Sequence, residues 1–336
     1  MLYAERIGAV IVNSLWKESA DMYKNIEQIQ KEVKKVIIGK DDIIRKVLMA
    51  ILAQGHILLE DVPGVGKTTL ATAFARTLGL DTKRVQFTSD TMPSDIIGFS
   101  VYDMQSGELQ YKKGAIMTNL LLADEINRTS SKTQSALLEA MEERQVTVDG
   151  VTRVLQAPFI VLATQNPAGS AGTQMLPSAQ LDRFLMRLSM GYPDRISQIE
   201  IMKERHHANP LDAIEPAVDI PILLGMIQQV SEVHVDDRIY DYVSDLVEMT
   251  RKNAYIELGV SPRGALAVCR TAKACAYLNG RDYVILEDVA EIFTSVCAHR
   301  VVLSSKARLH ERSARMLLEE ILETVKKPEA KESLIR

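Results

Sequence analysis

A chain of 336 residues is long enough for two compact domains, and its make-up (46% hydrophobic, 25% charged) is that of an ordinary globular protein. A formal net charge of −4 leaves no whole-chain electrostatic footprint for nucleic acid or an anionic membrane. No apolar run reaches membrane-spanning length, and Cys269, Cys275 and Cys297 have no zinc spacing and an odd count, as expected of reduced thiols. The only signal-like stretch, Ile7 to Trp16, is short, has no clear cleavage site and carries Glu5 in front of it, so the expected location is cytoplasmic.

Residues 1–35 have helical, amphipathic spacing, with Ile26, Ile29, Val33 and Val36 recurring among Lys and Glu, and this face is expected to pack on the body of the protein. Ile37-Ile38-Gly39 interrupts the pattern, and Asp41 or Asp42 is placed to cap a helix through Ile44, Val47, Leu48 and Ile51. The apolar run Ile57-Leu58-Leu59 then leads into Glu60-Asp61-Val62-Pro63-Gly64-Val65-Gly66-Lys67-Thr68-Thr69, followed by helical spacing at Leu70, Ala71, Phe74 and Leu78. This strand–loop–helix is the context of a phosphate-binding loop. Gly64 and Gly66 let backbone N–H groups converge on an anion at a helix N-terminus, Lys67 brings a mobile charge, and the Thr68 hydroxyl suits a magnesium shell. Asp61 stands where the general pattern has Gly, and its carboxylate would repel a triphosphate unless it pointed away.

Arg84-Val85-Gln86-Phe87 reads as a second strand, Ser94 to Gly98 as a short helical turn, and Ser100 to Tyr111 as a hairpin around Ser106-Gly107, after which Gly114 to Asn119 returns to helix-like character. Leu120-Leu121-Leu122-Ala123-Asp124-Glu125 is a doubly buried strand that ends in two carboxylates, at the end where open α/β sheets bind ligands. Asp124 suits magnesium, directly or through water, and Glu125 suits polarisation of an attacking water. Ser131 and Gln134 form a capping box for the next helix. Gln145 to Val154 alternates around Asp149-Gly150, predicting a two-residue primed turn with Val148 opposite Val151 and Thr147 opposite Thr152, a hairpin suited to contacts. Phe159 to Ala163 is another buried strand, which leads to Asn166, and a last strand runs from Phe184 to Met190. Beyond residue 194 the pattern is helical only, at about 195–208, 220–230, 236–253, 262–279, 286–299 and 307–326. His206-His207 has no ligand-spaced partner and is expected to be solvated.

Taken in order, Leu122-Ala123-Asp124-Glu125-Ile126-Asn127-Arg128, Ala163-Thr164-Gln165-Asn166-Pro167, Leu181-Asp182-Arg183-Phe184 and Ser261-Pro262-Arg263 resemble the MoxR family of AAA+ ATPases over residues 30–325. The resemblance implies an α/β P-loop fold with a parallel sheet core and a C-terminal all-α lid. Its boundaries would be an N-terminal helical segment 1–35, a nucleotide-binding core 36–193, a lid 194–326 and a tail 327–336. It implies ATP and Mg2+ as cofactors. Pro63, Gly64, Val65, Gly66, Lys67, Thr68 and Thr69 would form Walker A, and Asp124 and Glu125 Walker B, with Thr68 and Asp124 at the metal. Asn166 would be sensor 1, Arg183 the arginine finger and Arg263 the sensor 2 arginine, with Ile37, Ile38 and Gly39 at the adenine. Segment 98–114 resembles the family's helix-2 insert and 145–154 its hairpin before sensor 1. The family implies a homo-oligomeric ring, usually hexameric, acting on protein partners that often bear von Willebrand factor A domains. A DNA-remodelling ring is the competing reading, weakened by hairpins that are not basic. A non-hydrolysing switch is disfavoured by Glu125, Asn166 and Arg183, and a small-molecule kinase by the lack of a substrate lid.

Overall fold

The computed structural model describes residues 24–62, 64–166, 176–204 and 210–328. In chain order the elements are α1 (24–34), α2 (Asp41–Leu52), β1 (Ile57–Glu60), α3 (Lys67–Thr77), β2 (Thr82–Gln86), α4 (Pro93–Ile97), β3 (Gly98–Asp103), β4 (Glu108–Lys113), β5 (Leu120–Asp124) and α5 (Ser131–Glu143). They continue as β6 (Gln145–Val148), β7 (Val151–Val154), β8 (Ile160–Gln165), α6 (Ser178–Leu181), β9 (Met186–Leu188) and α7 (Arg195–Glu204). Then follow α8 (Ile220–Glu232), α9 (Asp237–Lys252), β10 (Ile256–Leu258), α10 (Pro262–Leu278), α11 (Leu286–Cys297), β11 (Val302–Leu303), α12 (Ser305–Leu309) and α13 (Ala314–Thr324).

Five strands form one parallel sheet in the order β2-β5-β8-β1-β9. The central β5 and β8 are buried at every position, as their unbroken apolar runs require. Successive side chains on a strand point to opposite faces. Leu59, Leu120, Leu122 and Leu162 therefore join one core with α2, α3 and the helices beyond residue 214. Leu58, Leu121, Ala123 and Val161 join a second core with α5 and Val146 of β6. The face of α1 carrying Ile26, Ile29, Val33 and Val36 is buried in the first of these, so this helix packs on the body.

Several local expectations are corrected. Asp41 and Asp42 lie in the first turn of α2 and Lys40 is its N-cap, with no side-chain cap bond. Ser130, one residue before the expected Ser131, caps α5 by accepting from the Thr133 N–H, while Gln134 turns to the carbonyls of Ile126 and Thr129. Residues 114–119 are turns, not helix, because they link the edge of the β3–β4 hairpin directly into β5. The last sheet strand is shorter than 184–190. The expected helix 307–326 is two, α12 and α13, with Glu311 in the left-handed region between them. The lid also holds a small antiparallel pair, β10–β11, whose members are two and three residues long and too short for a period to register. Pro63, Pro167, His206, His207, residues 1–23 and the tail from 329 lie outside the described residues.

Candidate functional site at the two edges of the sheet

At the C-terminal edge, β1 runs into the P-loop. Gly64 and Gly66 both take left-handed φ, +88° and +97°, which favours glycine, and Gly66 is the N-cap of α3. A Cβ built on Gly64 would meet no atom of a described residue within 4 Å. Lys67 is buried and its Nζ donates to the Asp61 carbonyl at 2.7 Å. Desolvation lowers its pKa, opposed by the charges of Asp61, Asp124 and Glu125. Asp61 answers the doubt raised by its position, because its carboxylate is turned away from the loop onto Ser189, Met190 and Gly191. Thr68 and Thr69 open α3, half-buried.

The carboxylates at the end of β5 are held by neighbours on both sides. Asp124 Oδ1 accepts from the Thr164 hydroxyl at 2.6 Å, and Oδ2 from Arg84 Nη2 at 2.7 Å. Glu125 sits at φ +57°, and its own N–H donates to Thr164 Oγ1 at 2.9 Å. Its Oε1 accepts from Asn166 Nδ2 at 3.0 Å, and its Oε2 from Arg128 and Gln86 at 2.8 Å each. Desolvation would raise the Glu125 pKa, but the hydrogen bonds from Arg128 and Asn166 and the charge of Arg128 hold it below the ordinary glutamate value. Lys67, Asp124, Glu125 and Asn166 thus gather at the C-terminal ends of three adjacent strands, β1, β5 and β8. A triphosphate with its magnesium fits this donor set: two glycines that open the loop, one mobile cation, a hydroxyl-bearing helix start and a carboxylate pair. Ile37 is buried, Ile38 half-buried, and Gly39 lies against Ser197 at φ +67°.

Arg183 and Arg263 are elsewhere. Their guanidinium groups share one carboxylate, Glu142 near the end of α5, at 3.3 and 3.0 Å. This is the opposite edge. Met186 pairs with Ile57 at the start of β1, and Arg183, three residues earlier, lines the same cavity as Gln54, which Arg144 grips. The length of β1, roughly 13 Å for four residues, separates that end from the P-loop of the same chain. A cavity of about 240 Å³ opens there, lined among others by Arg144, Arg183, Arg263, Arg270 and Arg300 but only two carboxylates, Glu142 and Asp182. Arg300 is buried and paired with Asp182 at 2.8 Å. Arg270 stands two turns beyond Arg263 on α10, with no ion pair to a described residue. Desolvation of its guanidinium, then the charges of Arg144, Arg300 and Arg263, lower its pKa.

Sequence reasoning missed Arg84, Gln86, Arg128, Thr164 and Glu142. Arg84 and Gln86 alternate on β2, so the signal was present. Using it required knowing that β2 pairs with β5, which the order of elements alone does not give. Glu142 carries no signal at all, being one of three acids near the end of an ordinary helix. Among the described residues no group of three or more His, Cys, Asp or Glu could hold a metal by itself, and no helix is long and apolar enough to cross a membrane.

Residues 56–186 match the model of the ATPase family associated with various cellular activities (AAA), and residues 248–321 match that of the AAA lid domain. The chain is 44% identical to an uncharacterised protein, YeaC, of Bacillus subtilis, over 92% of this chain and 96% of the relative. It is 39% identical to Chaperone MoxR1 of Mycobacterium tuberculosis, over 90% of this chain and 82% of the relative. It is also 31% identical to Protein MoxR of Methylorubrum extorquens, over 93% and 96%. A crystal structure from Cytophaga hutchinsonii superposes with a TM-score of 0.88 at 38% identity, covering 95% of this chain and 99% of that one.

Proposed function

The chain belongs to the MoxR family of AAA+ ATPases, and on that premise we propose that it hydrolyses MgATP at subunit interfaces of a ring. The P-loop N–H groups and Lys67 bind the β- and γ-phosphates, and Asn166 and Glu125 orient and polarise the attacking water. Magnesium, held by Thr68 and Asp124, would neutralise charge between the β- and γ-phosphates. Arg183 and Arg263 act in trans, each stabilising charge on the nucleotide of the neighbouring subunit. Ile37, Ile38 and Gly39 flank the adenine. The work done is remodelling or assembly of protein partners in the cytoplasm, as the chaperone name of the mycobacterial relative suggests, with von Willebrand factor A domain proteins as candidate partners. A hexamer is the ring proposed.

One observation carries this reading. Arg183 and Arg263 share Glu142 at the sheet edge opposite the chain's own P-loop, out of reach of the phosphates that it would hold. Mixing inactive partners tests it. Arg183→Ala is expected to bind ATP normally and to hydrolyse it roughly 10³-fold more slowly or worse. Added Lys67→Ala protein, with a dead pocket but an intact finger, should restore part of that activity, increasingly so at higher protein concentration. No rescue in demonstrably co-assembled rings, or wild-type hydrolysis by Arg183→Ala, would sink interface catalysis.

A further inference from the structure

Asp61 is the P-loop residue that departs from the general pattern, and it is engaged at both its ends. Its buried carboxylate accepts from Ser189 Oγ at 2.9 Å, Met190 N–H at 2.5 Å and Gly191 N–H at 3.1 Å. Its backbone carbonyl accepts from Lys67 Nζ, the cation that the phosphates would claim, at 2.7 Å. Residues 189–191 are where the chain leaves β9, turning at Gly191 with φ +59° toward the lid. The same connection also touches the segment expected at the adenine. Lys40 donates to the Tyr192 carbonyl at 2.9 Å, and a Cβ on Gly39 would come within 2.1 Å of the Ser197 hydroxyl. A glycine at position 61 could make none of the three side-chain bonds.

We propose that Asp61 is a positioning residue that couples phosphate occupancy of the P-loop to the core–lid connection at 189–191. The inference rests on the P-loop being an ATP phosphate site. When phosphates draw Lys67 off the Asp61 carbonyl, that peptide unit loses its cation and reorients. The carboxylate, fixed by three donors, passes the change to the connection. Coupling of this kind requires that the two ends bias one another in free energy, which a shared residue bonded to both supplies directly. The opposing view is electrostatic: a carboxylate beside a triphosphate only repels it, in which case glycine at this position would tighten binding.

Hydrogen–deuterium exchange at residues 188–195, with and without a non-hydrolysable ATP analogue, separates the two views in the full chain. In the wild type the analogue should slow exchange there. Asp61→Gly should bind the analogue within about threefold of wild type, lose that response, and show kcat lowered about tenfold with KM little changed. Asp61→Asn should fall between. A retained response in Asp61→Gly, with or without tighter binding, overturns the proposal. If Asp61→Gly does not fold, Ser189→Ala decides, since it removes one of the three donors outside the loop, and an undiminished response there overturns the proposal too. Wild-type protein that binds the analogue without any response at 188–195 refutes this coupling alone. Wild-type protein that does not bind it refutes the ATP reading, and the coupling with it.

Discussion

The two edges of one sheet carry opposite surpluses. At the C-terminal edge the carboxylates of Asp124 and Glu125 are each held by at least two donors, and Lys67 rests on a backbone carbonyl. That edge has the form of a phosphate cradle, and its other two described cations, Arg84 and Arg128, are paired with Asp124 and Glu125. At the N-terminal edge five arginines crowd a cavity with two carboxylates, and Arg270 pairs with no described residue. One edge has a cradle built of glycines and held carboxylates, and the other has five arginines over two carboxylates. The difference is what the proposed ring requires: each chain would bring the cradle to one interface and the arginines to the next.

The largest expected effect breaks or upholds this division directly. At protein concentrations where the chain is monomeric, Lys67→Ala should abolish ATP binding, whereas Arg263→Ala should leave the dissociation constant measured by titration unchanged. Loss of affinity in both would place Arg263 in its own chain's pocket and end the comparison. Next, Glu125→Gln should keep that affinity in full and lose turnover by about 10²–10⁴, the range for a positioned general base. A smaller loss would move the water-polarising role to another group.

The arginine edge also holds His56, whose Nδ1 accepts from the Val161 N–H and whose Nε2 donates to the Met141 carbonyl, both at 3.0 Å. Only the neutral ring satisfies both bonds. Burial, assisted by the charges of Arg144 and Arg270 and opposed by the Met141 bond, brings its pKa from 6.5 down to about 4. The unfolded chain therefore binds more protons than the native one between those values. The stability is fully present above pH 6.5 and is lost as pH falls toward 4, in total about 3 kcal/mol. Thermal melts taken across that window should fall more steeply for the wild type than for His56→Gln. Equal slopes would mean that the ring is protonated in the fold. The smallest effect concerns a region belonging to neither edge. Thr147 and Thr152 face each other across β6–β7 with hydroxyls 3.0 Å apart, on the exposed side of a hairpin whose Val146 and Val148 are buried. Replacing both by Ala should cost no more than about 1 kcal/mol by denaturant titration. A larger loss would tie the hairpin into the core.

How much of this was legible in the sequence follows the range over which each signal acts. The P-loop, the two buried strands and the Asp149-Gly150 turn are written in contiguous residues, and the turn has positive φ at both positions as expected. The N-cap of α5 was misplaced by one because Ser130 and Ser131 are both competent caps. Glu142, by contrast, acquires meaning only when Arg183 and Arg263, 41 and 121 residues further on, are folded against it. Asp61 is the intermediate case: its departure from pattern was visible, but its partners at 189–191 were not, because strand order is a property of the whole sheet.

Arg300 sits just after α11 in the lid, yet its guanidinium bonds the Asp182 carboxylate and the carbonyls of Asp182, Phe184 and Leu185, while Ser261 at the head of α10 holds the other Asp182 oxygen at 3.2 Å. The stretch 182–185 that carries Arg183 is thereby riveted to the lid from two sides. In the proposed ring, the lid and the stretch that carries Arg183 would therefore move as one piece, as a pawl moves with the lever it is fixed to.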